Sequence, residues 1–209
     1  MTAADPFTPI LQMSNWAWYR YRWVWDKVSV TNPLLSKIRP LNTHEDVLIF
    51  YSQLPVYNPQ MKLGRKWHRA GKPLHVTESL NEILVNRGSD KSALKFPKSI
   101  LTISNANKNG VVHPTQKPVA LFAYLIRTYT NPGDLVLDNT IGSGTTAIAC
   151  LNTNRNFIGI EKDEEYYKVA CTRVFKRSIE LGKLSLEELH ALYDKTDTDK
   201  QGFQLGLPL

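Results

Sequence analysis

Asp134-Leu135-Val136-Leu137-Asp138-Asn139-Thr140-Ile141-Gly142-Ser143-Gly144-Thr145-Thr146-Ala147 is the stretch of this chain that decides its fold. It begins with a short apolar run that ends in a carboxylate at Asp138, which is typical of a buried strand. A Gly-Ser-Gly turn follows and opens a helix. Roughly 20 residues further on, residues 156–161 form a second apolar run that ends in an acid, Glu161. The pattern predicts an α/β fold in which two strands end in acids beside one glycine turn.

This arrangement suits an adenosine-containing ligand. Gly142 and Gly144 allow the backbone to approach a ligand closely, and the following helix presents unpaired N–H groups at its positive end. An acid after the second strand can accept hydrogen bonds from ribose hydroxyls. Because Gly142-x-Gly144-x-x-Ala147 also satisfies the dinucleotide fingerprint, this stretch by itself leaves a nicotinamide-dependent oxidoreductase open.

The segment just upstream narrows the choice of ligand. His113-Pro114-Thr115-Gln116-Lys117-Pro118 precedes an apolar-periodic helix, the turn Pro132-Gly133-Asp134, and the strand that ends in Asp138. This order resembles the DNA amino-methyltransferases that methylate adenine N6 or cytosine N4, in the group whose catalytic segment precedes target recognition and then the cofactor motifs. Residues 23–27, 40–41, 44–48 and 57–60 are similar to the middle region of that group, and the resemblance covers roughly residues 7–174.

The resemblance implies a Rossmann-like class I methyltransferase sheet that binds S-adenosylmethionine. It places a set of residues around that cofactor: Thr115, Gln116 and Lys117 at the methionine end, Glu161 at the ribose, and Asp138, Gly142, Ser143, Gly144 and Thr145 around the rest. The alternative for Glu161 is an acid favoured by a helix N-terminus, and for Lys117 a solvated residue at a helix start. An oxidoreductase is disfavoured, because no hydride-transfer acid/base pair is visible and residues 113–118 would have no role.

The catalytic residues are unknown. Relatives have an Asp/Asn/Ser-Pro-Pro-Tyr/Phe/Trp segment that accepts hydrogen bonds from the target amino group and stacks on a flipped-out base. No such segment occurs in these 209 residues, and the nearest string, Asp5-Pro6-Phe7-Thr8, is similar to a later family segment. We therefore expect a C-terminal part of a methyltransferase with an incomplete sheet. It would be completed by a second polypeptide, or be a remnant that binds DNA without catalysis.

A net charge of +7 and a pI near 9.4 suit double-stranded DNA as partner. The candidate DNA-binding residues are Lys37, Arg39, Lys62, Arg65, Lys66, Trp67 and Arg69. The residues after position 58 are equally compatible with a solvated basic loop. General similarity to phage-like and prophage-like enzymes favours adenine N6 over cytosine N4 as the target.

Periodicity predicts the elements. Tyr19, Tyr21, Trp23 and Trp25 alternate with other residues, which indicates a strand whose aromatic side chains pack a sheet face rather than stack on bases. Residues 46–52 predict a strand antiparallel to it, residues 29–42 a loop over the active cleft, and residues 117–130 a helix with Pro118 in its first turn. Another helix begins at Asp163.

The predicted organisation is a methyltransferase domain over residues 1–182 with a target-recognition insertion at about 53–110, then a short helix and polar tail over 183–209. Cys150 and Cys171 lack metal-ligand spacing and are expected as buried, reduced thiols in two helices. No apolar run is long enough to span a membrane, and no signal peptide is visible. A cytoplasmic protein without a membrane partner is expected.

Overall fold

The structure is a computed structural model that describes residues 1–31, 33–64, 94–105, 116–183, 185 and 204–205. It divides into two compact units, one formed by Met1–Asn58 with Ser99–Leu209 and the other by Pro59–Lys98. The described helices are α1 (Phe7–Ser14), α2 (Val119–Tyr129), α3 (Thr145–Thr153) and α4 (Glu164–Glu180). The described strands are β1 (Thr2–Ala3), β2 (Tyr19–Thr31), β3 (Asn42–Phe50), β4 (Lys62–Leu63), β5 (Leu94–Lys95), β6 (Ile100–Thr102), β7 (Leu135–Asp138), β8 (Asn156–Ile160) and β9 (Gln204–Leu205).

The long strand β2 organises a four-stranded sheet in the order β1-β3-β2-β6. β2 pairs antiparallel with β3, as predicted, and parallel with β6. Trp23 and Trp25 lie on one face of β2 and are buried with Val47, Leu101 and Leu121. Alternation of side chains along the strand produces this face, so the prediction that the two tryptophans pack a sheet is confirmed.

A second sheet holds the apolar runs that precede Asp138 and Glu161. β7 and β8 run parallel in register, so that Asp138 lies beside Gly159, and β9 adds antiparallel to β8. The β9 strand lies within residues 183–209, for which a short helix and a polar tail were predicted. The short helix predicted after Gly182 lies outside the described residues, apart from Ser185.

Only one face of the β7–β8 pair is covered by the described residues. Val136 and Phe157 pack into a core with residues of α2, α3 and α4. On the other face Leu135 is 59% exposed, Leu137 64% and Ile160 44%. Parallel strands are almost always covered on both faces, so this face is unusual.

Helix α2 joins the two sheets. Leu121 belongs to the core of the first sheet, whereas Ala123 and Ile126 belong to that of the second. The helix begins at Val119, and Pro118 has extended backbone as its N-cap instead of lying in the first turn, which corrects the predicted start. Proline fits this position because its missing N–H is not needed before the helix starts.

Helix α4 has the N-terminus that its sequence predicts. Asp163 is the N-cap, and its Oδ1 accepts a hydrogen bond from the Tyr166 N–H at 3.0 Å. Ala170, Cys171 and Val174 are buried on its inner face. Cys150 and Cys171 are buried free thiols in α3 and α4, which confirms the prediction of reduced cysteines.

The loop between β2 and β3 is shorter than predicted. Strand β2 continues to Thr31, a 3-10 turn covers Pro33–Leu35, and β3 begins at Asn42, so the predicted strand over residues 46–52 starts and ends earlier. The added residues pair β2 with β3, Asp26 opposite His44 and Thr31 opposite Asn42, and this pairing extends both strands beyond the predicted bounds. In the other unit, the described residues form one antiparallel pair, β4 with β5. Across the described residues, none of the helices has the length and hydrophobicity needed to cross a membrane.

Candidate functional site

The two predicted acids lie at the same edge of the β7–β8 pair. Asp138 ends β7, and Glu161 directly follows Ile160 at the end of β8. Parallel strands place their carboxyl ends at one edge of a sheet, where open α/β folds bind their ligands. The glycine turn, residues 142–144, leaves β7 at this edge and opens α3.

Asp138 holds the start of the turn. Its Oδ1 accepts a hydrogen bond from the Thr140 N–H at 3.1 Å, and its Oδ2 accepts one from Thr146 Oγ1 at 2.5 Å. The turn therefore forms with Asn139 and Thr140 after the aspartate, as expected from small polar residues in this position.

Glu161 holds the middle of the turn. Its Oε2 accepts a hydrogen bond from the Gly142 N–H at 2.8 Å, and its Oε1 accepts one from the Asp163 N–H at 3.1 Å. Asp163 is the N-cap of α4, so Glu161 lies both at the start of that helix and against the glycine turn. The Glu161 carboxylate retains acceptor capacity, because each of its oxygens has two lone pairs.

Gly144 packs closely against α4 and has a left-handed backbone conformation. Its φ is +80°, and a Cβ added there would lie 3.2 Å from Ala170 Cα and 3.2 Å from Ala170 Cβ in α4. The close approach that this glycine permits is therefore to a helix of the protein, in addition to the approach to a ligand that the sequence analysis predicted. Gly142 also has a positive φ, of 53°.

The N-terminus of α3 has no side-chain cap. Its N-cap residue is Gly144. Thr145 Oγ1 is buried and has no hydrogen-bond partner among the described residues. Uncapped N–H groups at a helix start form a site for negative or hydrogen-bond-accepting groups.

Gln116 connects the predicted methionine-end segment to the turn. Its Oε1 accepts a hydrogen bond from Ser143 Oγ at 3.2 Å, and Ser143 is buried. The Ser143 carbonyl accepts a hydrogen bond from Arg173 of α4. Burial lowers the pKa of Arg173 from its ordinary value.

Lys117 lies beside the first sheet. Its Nζ forms an ion pair with Glu45 Oε2 at 2.8 Å and lies 5.8 Å from the centroid of the Trp25 ring. It is thus a residue with fixed partners, which argues against the alternative of a solvated lysine. Thr115 lies outside the described residues.

The candidate DNA-binding residues are only partly described. Lys37 and Arg39 are exposed in the loop between β2 and β3, and Lys62 is exposed on β4 in the other compact unit. Arg65, Lys66, Trp67 and Arg69 lie outside the described residues. Asp5 precedes α1 and is exposed.

Several residues of the site were not singled out from the sequence. Thr146, Arg173 and Glu45 each bond a predicted site residue, and the buried Lys27 pairs with Glu45. The strand alternation that buries Trp25 also points Lys27 inward, which was the available indication for that lysine. Arg173 lies on α4, 30 residues along the chain from Ser143, and no local pattern connects the two.

Comparison with known proteins gives consistent matches. Residues 2–172 match a family model, N6_N4_Mtase, described as DNA methylase. The chain is 38% identical over 193 residues to Type II methyltransferase M.BglI from Bacillus subtilis, covering 88% of this chain and 54% of that protein. It is 32% identical over 137 residues to Type II methyltransferase M.HpaI from Haemophilus parainfluenzae, covering 63% of this chain and 38% of that protein. The chain thus spans about half or less of the length of these curated relatives.

Solved structures agree on the fold. The crystal structure of an M1.HpyAVI-SAM complex matches with a TM-score of 0.56 and 26% identity, covering 83% of this chain and 72% of that one. PvuII DNA methyltransferase, described as cytosine-N4-specific, matches with a TM-score of 0.56 and 21% identity, covering 90% of this chain and 61% of that one. The Rossmann-like class I methyltransferase fold expected from the sequence is confirmed.

Proposed function

Since this chain belongs to the N6_N4_Mtase family of DNA methylases, we propose that it binds S-adenosylmethionine and serves in methyl transfer to an exocyclic amino group of double-stranded DNA. Adenine N6 is the favoured target and cytosine N4 the alternative. The observation that carries the proposal is the glycine turn, which is held from both strand ends by Asp138 and Glu161 and is bonded to Gln116 through Ser143.

The residues at this turn fit the cofactor. S-adenosylmethionine has ribose hydroxyls that donate hydrogen bonds, and Asp138 and Glu161 supply carboxylate acceptors at one sheet edge. The uncapped start of α3 offers N–H donors, and the buried Thr145 hydroxyl has no partner among the described residues. Lys117 adds an ammonium for the carboxylate of the methionine part.

The chain's own residues would bind and orient the cofactor. A hydrogen bond to a charged carboxylate contributes about 1.5–3 kcal/mol, which is enough to fix the ribose relative to the turn. When bound, S-adenosylmethionine supplies a methyl group made electrophilic by its positively charged sulfur. The acceptors for the target amino group are not recognised in this sequence, which contains no Pro-Pro pair.

We propose that a second polypeptide with the acceptor segment completes the enzyme. The supporting observation is the exposed apolar face of the β7–β8 pair, formed by Leu135, Leu137 and Ile160. A parallel pair of this kind is normally covered on both faces, and a segment packed there would lie next to the strand that ends in Asp138. The basic loop residues Lys37 and Arg39, with Lys62 and the candidates at 65–69, are proposed to contact DNA phosphates.

Calorimetric titration of the purified chain with S-adenosylmethionine tests the cofactor proposal, with NAD as the comparison ligand. Binding of S-adenosylmethionine alone is expected, and binding of NAD alone would revive the oxidoreductase hypothesis. Mixing the chain with a polypeptide that carries the acceptor segment should then transfer tritiated methyl groups to DNA, and nucleoside analysis identifies adenine or cytosine as the target. DNA binding that persists without transfer in the mixture would support a catalytically inactive remnant.

A further inference from the structure

A lysine is buried in the core face of the first sheet. Lys27 lies on β2 two positions after Trp25, and its side chain is only 3% exposed. The strand alternates, so Lys27 shares the inner face with the two tryptophans. A buried ammonium is costly unless a charged partner compensates it, and lysine is almost never buried without one.

The carboxylate of Glu45 is shared by two lysines. Its Oε1 lies 3.5 Å from Lys27 Nζ, and its Oε2 lies 2.8 Å from Lys117 Nζ. Two ammonium groups around one carboxylate leave this cluster with a formal charge of +1. Asp26, the neighbouring acid on β2, is bonded to the Val28 N–H and to Thr102 instead.

Solvent access differs sharply between the two lysines. The Lys117 side chain is 22% exposed and that of Glu45 is 16% exposed, whereas the Lys27 side chain is buried. An anion from solvent can therefore reach the cluster at Lys117. Lys117 also follows Gln116, which is bonded to Ser143 in the glycine turn, so this open end lies beside the site proposed for the cofactor.

We infer that Lys27 is a positioning residue whose positive charge offsets the negative charge of Glu45. The ammonium of Lys117 therefore retains a net attraction for the carboxylate of the cofactor's methionine part. This inference rests on the proposed function. Without Lys27, Glu45 and Lys117 would neutralise each other, and an incoming carboxylate would meet a second carboxylate at the same ammonium. Coulomb repulsion between these like charges is strong in a partly desolvated site.

Two ligands separate this role from a purely structural one. S-adenosylhomocysteine contains the amino-acid carboxylate, and 5′-methylthioadenosine has the same adenosine and thioether without it. Calorimetry with Lys27→Met should show about a tenfold loss of affinity for the first ligand, the size expected for one weakened charge-assisted contact, and no change for the second. The double variant K27M/E45Q should recover the affinity for S-adenosylhomocysteine, because Lys117 is again without a competing carboxylate.

Matched variants control for net charge and for folding. Lys168→Met removes an exposed lysine that also contacts two carboxylates, those of Glu164 and Glu165, and should leave both affinities unchanged. If K27M does not fold, Lys27→Gln removes the charge but keeps a hydrogen-bond donor for Glu45, and the same ligand-specific loss is expected from it.

Two results would overturn the inference: an equal loss of affinity for both ligands, which a structural role predicts, or no loss for either. A wild-type chain that binds neither ligand, alone or mixed with the polypeptide that carries the acceptor segment, would refute the proposed function and the inference together. Because that result appears before any variant is measured, it is distinguishable from failure of the Lys27 role alone.

Discussion

Replacing Gly144 with alanine should destabilise the protein by more than its backbone conformation explains. At φ +80° an alanine pays roughly 1–2 kcal/mol for left-handed backbone. Its Cβ would also lie 3.2 Å from Ala170 Cα and 3.3 Å from Ala170 O, which are backbone atoms of α4 and cannot rotate away. Overpacking of this kind costs typically about 1–3 kcal/mol, so we expect a loss of about 2–5 kcal/mol in the free energy of unfolding.

Gly133 is the matched control for this substitution. Its φ is +88°, and a Cβ added there meets nothing within 4 Å. Gly133→Ala should therefore lose only the backbone cost of about 1–2 kcal/mol. The gain of about 0.4–1 kcal/mol from stiffening the unfolded chain applies to both variants and cancels in their difference.

Urea unfolding followed by circular dichroism measures both variants against the wild-type chain. The difference between G144A and G133A isolates the contact with α4. Equal losses in the two variants would refute the packing argument and leave ligand approach as the reason for glycine at this position. A larger loss in the free energy of unfolding for G144A would show that the turn packs against α4 in the absence of a ligand.

Three further predictions each concern one residue. Trp25→Phe removes the hydrogen bond from the indole N–H to the Ile103 carbonyl at 2.8 Å, and urea unfolding should show a loss of about 1–3 kcal/mol for the unpaired group. Burial raises the pKa of the Cys150 thiol from 9.0 to about 12 in the folded protein. The neutral buried thiol therefore contributes fully to stability below pH 9, and this contribution is lost as the pH rises to the pKa of the folded protein, because the unfolded chain ionises first. The urea midpoint should thus fall between about pH 9 and 12, and a Cys150→Ala variant should show a smaller fall. Glu161→Gln weakens the acceptor for the Gly142 N–H and should lower the affinity for S-adenosylhomocysteine about tenfold by calorimetry; unchanged affinity would remove Glu161 from the proposed site.

Local pattern predicted most of the elements that form the site. The apolar runs before Asp138 and Glu161 are strands, and the Gly-Ser-Gly turn opens a helix, because each of these features is encoded within a few residues. Alternation along residues 19–25 predicted β2, and the strand predicted over residues 46–52 pairs antiparallel with it as β3. The fold class followed from the order of these elements.

Contacts between residues far apart in the chain could not be predicted from local sequence patterns. Gly144 is constrained by Ala170, and Lys27 is compensated by Glu45 on the neighbouring strand; both depend on how elements pack. Strand β9 pairs only two residues with β8, which gives too short a run to show alternation. The extension of β2 to Thr31 depends on partner strands and not on the hydrophobicity of its own residues.

Gln116 and Lys117 are adjacent in the chain, yet they are bonded to different sheets. Gln116 is bonded to Ser143 after β7, and Lys117 to Glu45 on β3. A ligand that engages both residues would therefore be thermodynamically linked to the junction between the sheets. Ligand binding would make the two sheets harder to separate. By reciprocity, a mutation that loosens the junction would lower the affinity for the ligand without contacting it.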